Sequence, residues 1–312
     1  MEYRKLGKTG LRVSVLGFGA SPLGNVFDEV SPAQGERAVH AAIDRGINLF
    51  DVSPYYGKTL AEERLGAALL GRRDKVALST KCGRYDTDCF DFSAARVTAS
   101  IDESLSRLHT DYVDLLQAHD IEFGDRRQII EETIPAMRRI QAAGKARFIG
   151  VTGLPLKMLA DVAARGDVDV VLSYCRYNLL VRDLNRVLAP IAEEHDIGLI
   201  NASPLHMRVL TKEGAPPWHP APTEVREAGA RVVDFCCKHG VEPVVFALRF
   251  CLDNPHVAST LVGMSSIEQL ETNLRAMDYQ MDPALLEEVN GLIAPVRDII
   301  WSSGRPENNV QS

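Results

Sequence analysis

The chain lacks any apolar run of the roughly 18 residues needed to span a bilayer, and it lacks an excess of positive charge. Against 42 Asp and Glu stand 35 Lys and Arg, a net charge of -7. That balance argues against nucleic acid and anionic membranes as partners, since both are polyanions. A small-molecule ligand is expected instead. Six cysteines are present, but none falls in a CxxC or mixed Cys/His spacing, so buried free thiols are expected and a disulfide framework or metal site is not. The opening MEYRKLGKTG has no apolar signal core, which points to the cytoplasm. No linker, low-complexity tract or internal repeat divides the chain, so residues 1–312 are expected to form one domain, a monomer or weak homo-oligomer, with polar residues 305–312 as a flexible tail.

What is present is a rhythm. Short β-rich runs alternate with amphipathic stretches, and the candidate strands are 15–19, 48–52, 76–80, 113–118, 146–151, 170–174, 198–202 and 257–263. Their apolar runs barely alternate, as suits parallel strands covered on both faces. Helical punctuation lies between them: Ser31 as a cap, Pro32 at the first helical position, Gly46 as a stop, and Val97, Ile101, Leu105 and Leu108 at helical spacing. Eight such units predict a closed (β/α)8 barrel, with a hairpin around Lys8-Thr9-Gly10 before it and an extra helix over 282–294 after it. An open, doubly wound sheet is the competing arrangement. Against it, GFGASPLG matches GxGxxG only loosely and places Pro22 where a helix should open on a pyrophosphate.

Barrel chemistry sits where strands end at the C-terminal rim. The second strand ends at Asp51, with Tyr56 five residues on; the third runs into Lys81 and the fourth into His119. Singly, each has a plain structural explanation: a turn residue, a packed aromatic, an exposed charge. Jointly, they place an acid, a phenol, an ammonium and an imidazole on one rim, and Lys81 offers Asp51 the cation that a buried carboxylate needs. Lys81 is expected to favour the phenolate of Tyr56, Asp51 to keep Lys81 charged, and a neutral His119 to hold a substrate oxygen. The set fits proton transfer at an alcohol or carbonyl; a hydride acceptor must come from a cofactor. Glu62-Glu63-Arg64 reads as a solvated helix start, His195 and His239 as helix ends, and Trp218 in APPWHPAP as a substrate-facing wall or a packed loop.

GINLFDVSPYYGKTLAEERLG, STKCG, SIDESLSRLHTDYVDLLQAH and VGMSSIEQLETNL, in that order, resemble the aldo-keto reductases across nearly the whole chain. The resemblance implies a single barrel in which Tyr56 is the acid/base, with Asp51, Lys81 and His119 beside it, and Tyr55 is a wall of the site. It also implies a nicotinamide dinucleotide held by Asp51, Thr152, Ser173, Ser203, Pro204, Leu205, Gly263, Met264, Ser265, Gln269 and Asn273. Relatives often grip the nicotinamide through a Ser-Asn pair and a Gln, where Thr152-Gly153 and Ser173 stand here, and stack a tyrosine where Ala202 stands. The stretch VGMSSIEQ carries no cation to meet a 2′-phosphate, so NAD is expected rather than NADP, unless Arg208 or Lys212 arrives from another loop.

Within the family, the loops GFGASPLGNVF, HDIEFGD and RFIGVTGLPL resemble dehydrogenases that oxidise L-galactose, L-fucose or a related aldose at C1. An NADPH-dependent aldehyde or carbonyl reductase and a non-enzymatic nicotinamide-binding regulatory subunit remain as alternatives, because the same fold serves several functions.

Overall fold

A computed structural model of the chain describes residues 1–309. Eight parallel strands close into a barrel in chain order: β1 (Leu16–Gly19), β2 (Leu49–Asp51), β3 (Ala77–Cys82), β4 (Val113–Ala118), β5 (Ala146–Gly153), β6 (Val170–Tyr174), β7 (Gly198–Ala202) and β8 (Ser259–Gly263), which pairs back to β1. Strands β3 and β5 run two residues beyond their expected ends. Lys81 is therefore a strand residue, paired across to Gln117 on β4.

The two ends of the barrel are built differently. At the floor, the expected hairpin forms from Tyr3–Lys5 and Arg12–Ser14, turning through Gly10 at a φ of 72° that suits glycine. Leu6 and Val13 pack with Leu49, Leu115, Val170, Leu172, Ile200 and Leu261, an apolar plug that fills this end. The Arg4 guanidinium donates to the carbonyl oxygens of Leu252, Asn254 and Val257 at 3.0, 2.7 and 2.9 Å.

Around the barrel, α1 (Pro32–Asp44) opens with Ser31 Oγ accepting the Gln34 amide at 3.3 Å. In α3 (Ala94–Leu108) Val97, Ile101, Leu105 and Leu108 are all buried, as their spacing predicts. Helix α2 (Leu60–Ala68) departs from expectation: Glu62 is not solvated but fully buried, accepting from Thr80 Oγ1 at 2.5 Å and Arg107 Nε at 2.7 Å. Two helices lie outside the eight units, not one. Thr223–Lys238 packs on Pro283–Ile293 over a second apolar cluster that includes Val209, Val225, Val232, Phe246, Val289 and Ile293. The amphipathic pattern of the first was indistinguishable from a barrel helix. His239 ends its helix as expected, with Nδ1 2.9 Å from the Phe235 carbonyl oxygen. All six cysteines are free, four of them buried.

The tail is docked through Asn309 rather than loose from residue 305. The amide of Arg305 and the Asn308 side chain donate to the Glu122 carbonyl oxygen at 2.9 and 2.8 Å, and Asn308 is buried. Its polar composition serves hydrogen bonding to a carbonyl at the rim. The rest of the expected flexible tail, 310–312, lies outside the described residues. Among the described residues, no helix is long and apolar enough to cross a membrane.

Candidate active site

Strand register builds the site. Asp51 on β2 sits beside Ser79 on β3, and Lys81 two residues on sits beside Gln117 on β4. Lys81 Nζ donates to Asp51 Oδ1 at 2.5 Å and to the Val52 carbonyl at 2.8 Å. The other Asp51 oxygen accepts from Ser79 Oγ at 2.8 Å and from Gln117 Nε2 at 3.3 Å. A carboxylate at the end of an apolar strand is thus met by a cation and two donors, the condition for burying it. Lys81 Nζ lies 4.9 Å from the centroid of the Tyr56 ring, and the His119 ring stands edge-on to Tyr56 with centroids 5.6 Å apart. Ser53 Oγ is 2.9 Å from His119 Nδ1, which leaves Nε2 for a ligand.

Electrostatics assign the resting states. Burial opposes charge on Lys81, but Asp51 and the Tyr56 phenol together outweigh it and hold the lysine pKa above its ordinary value. Burial, then the fields of Lys81 and Arg84, push His119 well below the ordinary imidazole value, so the ring is neutral near pH 7. Lys81 favours the Tyr56 phenolate, as expected, but burial outweighs it. Burial pushes the Tyr56 pKa up to about 12, and Lys81 offsets only part of that rise while Asp51 and Asp120 add to it. At rest Tyr56 is a phenol, and the ammonium does not bring it close to neutrality.

A cleft of about 500 Å³ runs from Asp51 and Tyr56 past the ends of β7, β8 and β1. Of the residues expected to hold a cofactor, Asp51, Ser203, Pro204, Leu205, Gly263, Ser265, Gln269 and Asn273 line it. At Gly263 a Cβ would crowd the Pro22 side chain at 3.1 Å, so a larger residue would need Pro22 to give way. Ser203, His206, Met207 and Arg208 all have positive φ, between 48° and 77°, so the loop after β7 is held in a left-handed shape that non-glycine residues adopt at a cost. Gln269 Oε1 accepts from the Ser265 amide at 2.8 Å, and Ser266 caps the helix Ile267–Asp278. An elongated, partly polar cleft with open backbone at Gly19 and Gly263 fits a dinucleotide.

Three expected cofactor residues do not line the cleft. Met264 is wholly buried just past the end of β8, in the apolar cluster shared by the strands and the surrounding helices. Thr152 Oγ1 accepts the Asp120 amide at 3.0 Å, and Ser173 Oγ donates to the Gly153 carbonyl at 3.2 Å; both are buried. Trp218 is about half exposed, its ring 5.7 Å from Phe27 and close to parallel with His219. It stands against Phe27, which lines the cleft, and does not line the cleft itself.

The structure adds residues that the sequence reading left unassigned. Arg84 Nη1 donates to Asp120 Oδ2 at 2.5 Å, and Asp120 Oδ2 lies 3.7 Å from His119 Nε2. The Arg84 guanidinium sits over the Tyr55 ring, 3.8 Å from its centroid. Asp120 stands in the quoted stretch HDIEFGD, and Arg84 directly follows STKCG. The available signal was a cation and an acid just past the ends of adjacent strands, the logic already applied to Asp51 and Lys81. Beyond them Glu122 is fully buried: its Oε1 accepts from Ser303 Oγ at 3.0 Å and the Leu154 amide at 3.2 Å, while Oε2 has no partner. Burial and the neighbouring Asp120 push its pKa to about 8.

Comparison with known proteins follows this geometry. Residues 15–294 match the Aldo/keto reductase family. The chain is 47% identical to L-galactose dehydrogenase of Arabidopsis thaliana over 99% of both chains. It is 30% identical to D-threo-aldose 1-dehydrogenase of a Pseudomonas species, over 90% of this chain and 94% of the other. Among solved structures, an aldo-keto reductase from Bacillus halodurans in its holo form superposes with a TM-score of 0.81 at 25% identity, covering 99% of this chain and all of the other.

Proposed function

The chain belongs to the aldo/keto reductase family and is an oxidoreductase, and from that premise we propose that it oxidises an aldose, L-galactose or a related sugar such as L-fucose, at C1 to the aldonolactone with NAD. The observation that carries the reading is the group of buried Asp51, Lys81 and His119 with half-buried Tyr56 at the head of the cleft. Full-length similarity to a sugar dehydrogenase supports the substrate class.

In this reading His119, neutral and oriented by Ser53, holds the C1 hydroxyl through Nε2. Tyr56 exchanges the hydroxyl proton, and Lys81, fixed by Asp51, stabilises the phenolate whenever it forms. A nicotinamide dinucleotide in the cleft supplies the hydride acceptor. Because resting Tyr56 is protonated, its ionised fraction grows about tenfold per pH unit below its pKa, so oxidation should quicken as pH rises through neutrality. Positioning of the hydroxyl by two fixed groups provides the remaining advantage.

The preference for NAD rests on charge. Among the described residues, the cations lining the cleft are Arg208 and Lys212, and each is already engaged, with Asp28 and with Glu242 at 2.6 Å. Glu213 and Glu268 line it as well. A 2′-phosphate would have to displace Asp28 or Glu242 to reach either cation, on a wall that carries further carboxylates.

One observation favours a second reading. A phenol at rest is ready to give its proton to a carbonyl, as an aldehyde reductase requires. Absorbance at the NADH band, with L-galactose, L-fucose and D-arabinose and both cofactors, separates the two. The first reading expects sugar oxidation with NAD favoured by about tenfold or more, a gap of about 1.4 kcal/mol. Aldehyde reduction with NADPH and no sugar turnover would replace it with the second.

A further inference from the structure

Buried Asp120 and half-buried Arg84 form an ion pair that acts on Tyr56 and His119 only through its field and carries no proton in the chemistry above. A pair of this kind is a weak device for stability, since desolvation cancels much of the attraction. Its placement suggests another role. Asp120 is as buried as His119, each 4% exposed, so the two share one enclosure. Asp120 Oδ2 lies 3.7 Å from His119 Nε2, too far for a hydrogen bond, which sets an imidazole donor and a carboxylate acceptor side by side for two adjacent oxygens of one ligand. Arg84 is stacked on Tyr55, which fixes the carboxylate from behind, and its Nε is buried without a partner. Asp120 itself has a φ of 50°, a conformation that a non-glycine residue holds at a cost.

Building on the dehydrogenase reading, we propose that Asp120, clamped by Arg84, is a specificity-determining residue that accepts a hydrogen bond from the C2 hydroxyl of the aldose. The chemistry selects that hydroxyl. With the C1 oxygen on His119, the neighbouring oxygens are the ring oxygen and the C2 hydroxyl. A carboxylate only accepts, so it is matched to the hydroxyl, whereas the ring oxygen has no proton to give. The bond is charge-assisted and enclosed, which makes it discriminating.

The test is calorimetric binding of D-arabinose and its C2-deoxy counterpart, 2-deoxy-D-ribose, to the NADH-loaded protein and to its Asp120→Asn and Asp120→Ala variants. The wild type should prefer D-arabinose by about 10- to 100-fold, as expected for one hydrogen bond to a charged group. In Asp120→Ala the two sugars should bind alike within about threefold, and Asp120→Asn, which keeps a carbonyl acceptor, should recover part of the preference. Reduction of 4-nitrobenzaldehyde, which has no second hydroxyl, should fall less in Asp120→Ala than D-arabinose binding does; some fall is expected because Asp120 also acts on Tyr56. An unchanged sugar preference in folded Asp120→Ala overturns the proposal, as does an equal loss of aldehyde reduction and sugar binding. Wild-type protein that binds D-arabinose selectively yet oxidises no aldose sinks the dehydrogenase reading alone; wild type that binds neither sugar, or both equally, sinks this one.

Discussion

The two halves of the rim differ in how finished they are without a ligand. Over β2 to β4, Asp51, Lys81, His119 and Asp120 are buried and each has a close partner within the chain. Over β7, β8 and β1 the surface opens into a cleft, the loop after β7 is held in left-handed turns, and Arg208 meets a largely exposed Asp28. The proton-handling half is preorganised, the condition under which fixed charges act most strongly. The cofactor half is held by solvent-facing contacts, which cost little to rearrange.

The sharpest way to break this contrast is Tyr56→Phe. It should lower turnover by at least about a thousandfold while the NADH dissociation constant, read by fluorescence, stays within about threefold. Near-normal turnover would remove Tyr56 from the chemistry. Next in size is Lys81→Met, which leaves Asp51 buried beside an apolar chain. It should cost about 3–5 kcal/mol in urea unfolding, and a cost near zero would show that the preorganised half is not held by its charges.

Glu122 gives a pH dependence. Its folded-state pKa of about 8 lies above the ordinary 4.5, so the folded chain binds this proton more tightly than the unfolded chain. Its contribution is fully present below about pH 4.5 and is lost as pH rises toward 8. Thermal melts should show the Glu122→Gln variant falling less steeply than wild type between about pH 5 and 8; parallel curves would mean that the carboxyl ionises freely in the folded state. Arg208→Ala should have the smallest effect: stability within about 1 kcal/mol, with NADH leaving faster in stopped flow. A loss as large as that of Lys81→Met would erase the distinction between the halves.

Much of this architecture was legible before folding was considered. Strand positions were readable to within two residues because buried parallel strands are short unbroken apolar runs. Asp51, Lys81 and His119 were readable because each is a polar residue interrupting or closing such a run. Tyr56 and its neighbours could be grouped from barrel geometry, but its protonation could not: the phenol's state depends on how completely it is enclosed, which no local pattern encodes. Arg84 and Asp120 were missed because they lie beyond the barrel strands, Arg84 on a short hairpin strand (Arg84–Asp86) and Asp120 in a loop, where polar residues are expected anyway. The same reason hid the docking of the tail on Glu122, and Met264 was misplaced because adjacent residues at a strand end face opposite ways.

Arg4 has a consequence for the order of assembly. Its three acceptors lie 248, 250 and 253 residues downstream. On the ribosome, the segment that seals the base of the cylinder emerges long before its partners and must wait until synthesis has passed residue 257 before it can engage. Until then the nascent polypeptide is an open, incomplete sheet with an unsatisfied edge, exposed to mispairing. The molecule is therefore committed late, in one closing event that joins its beginning to its last strand-and-helix unit.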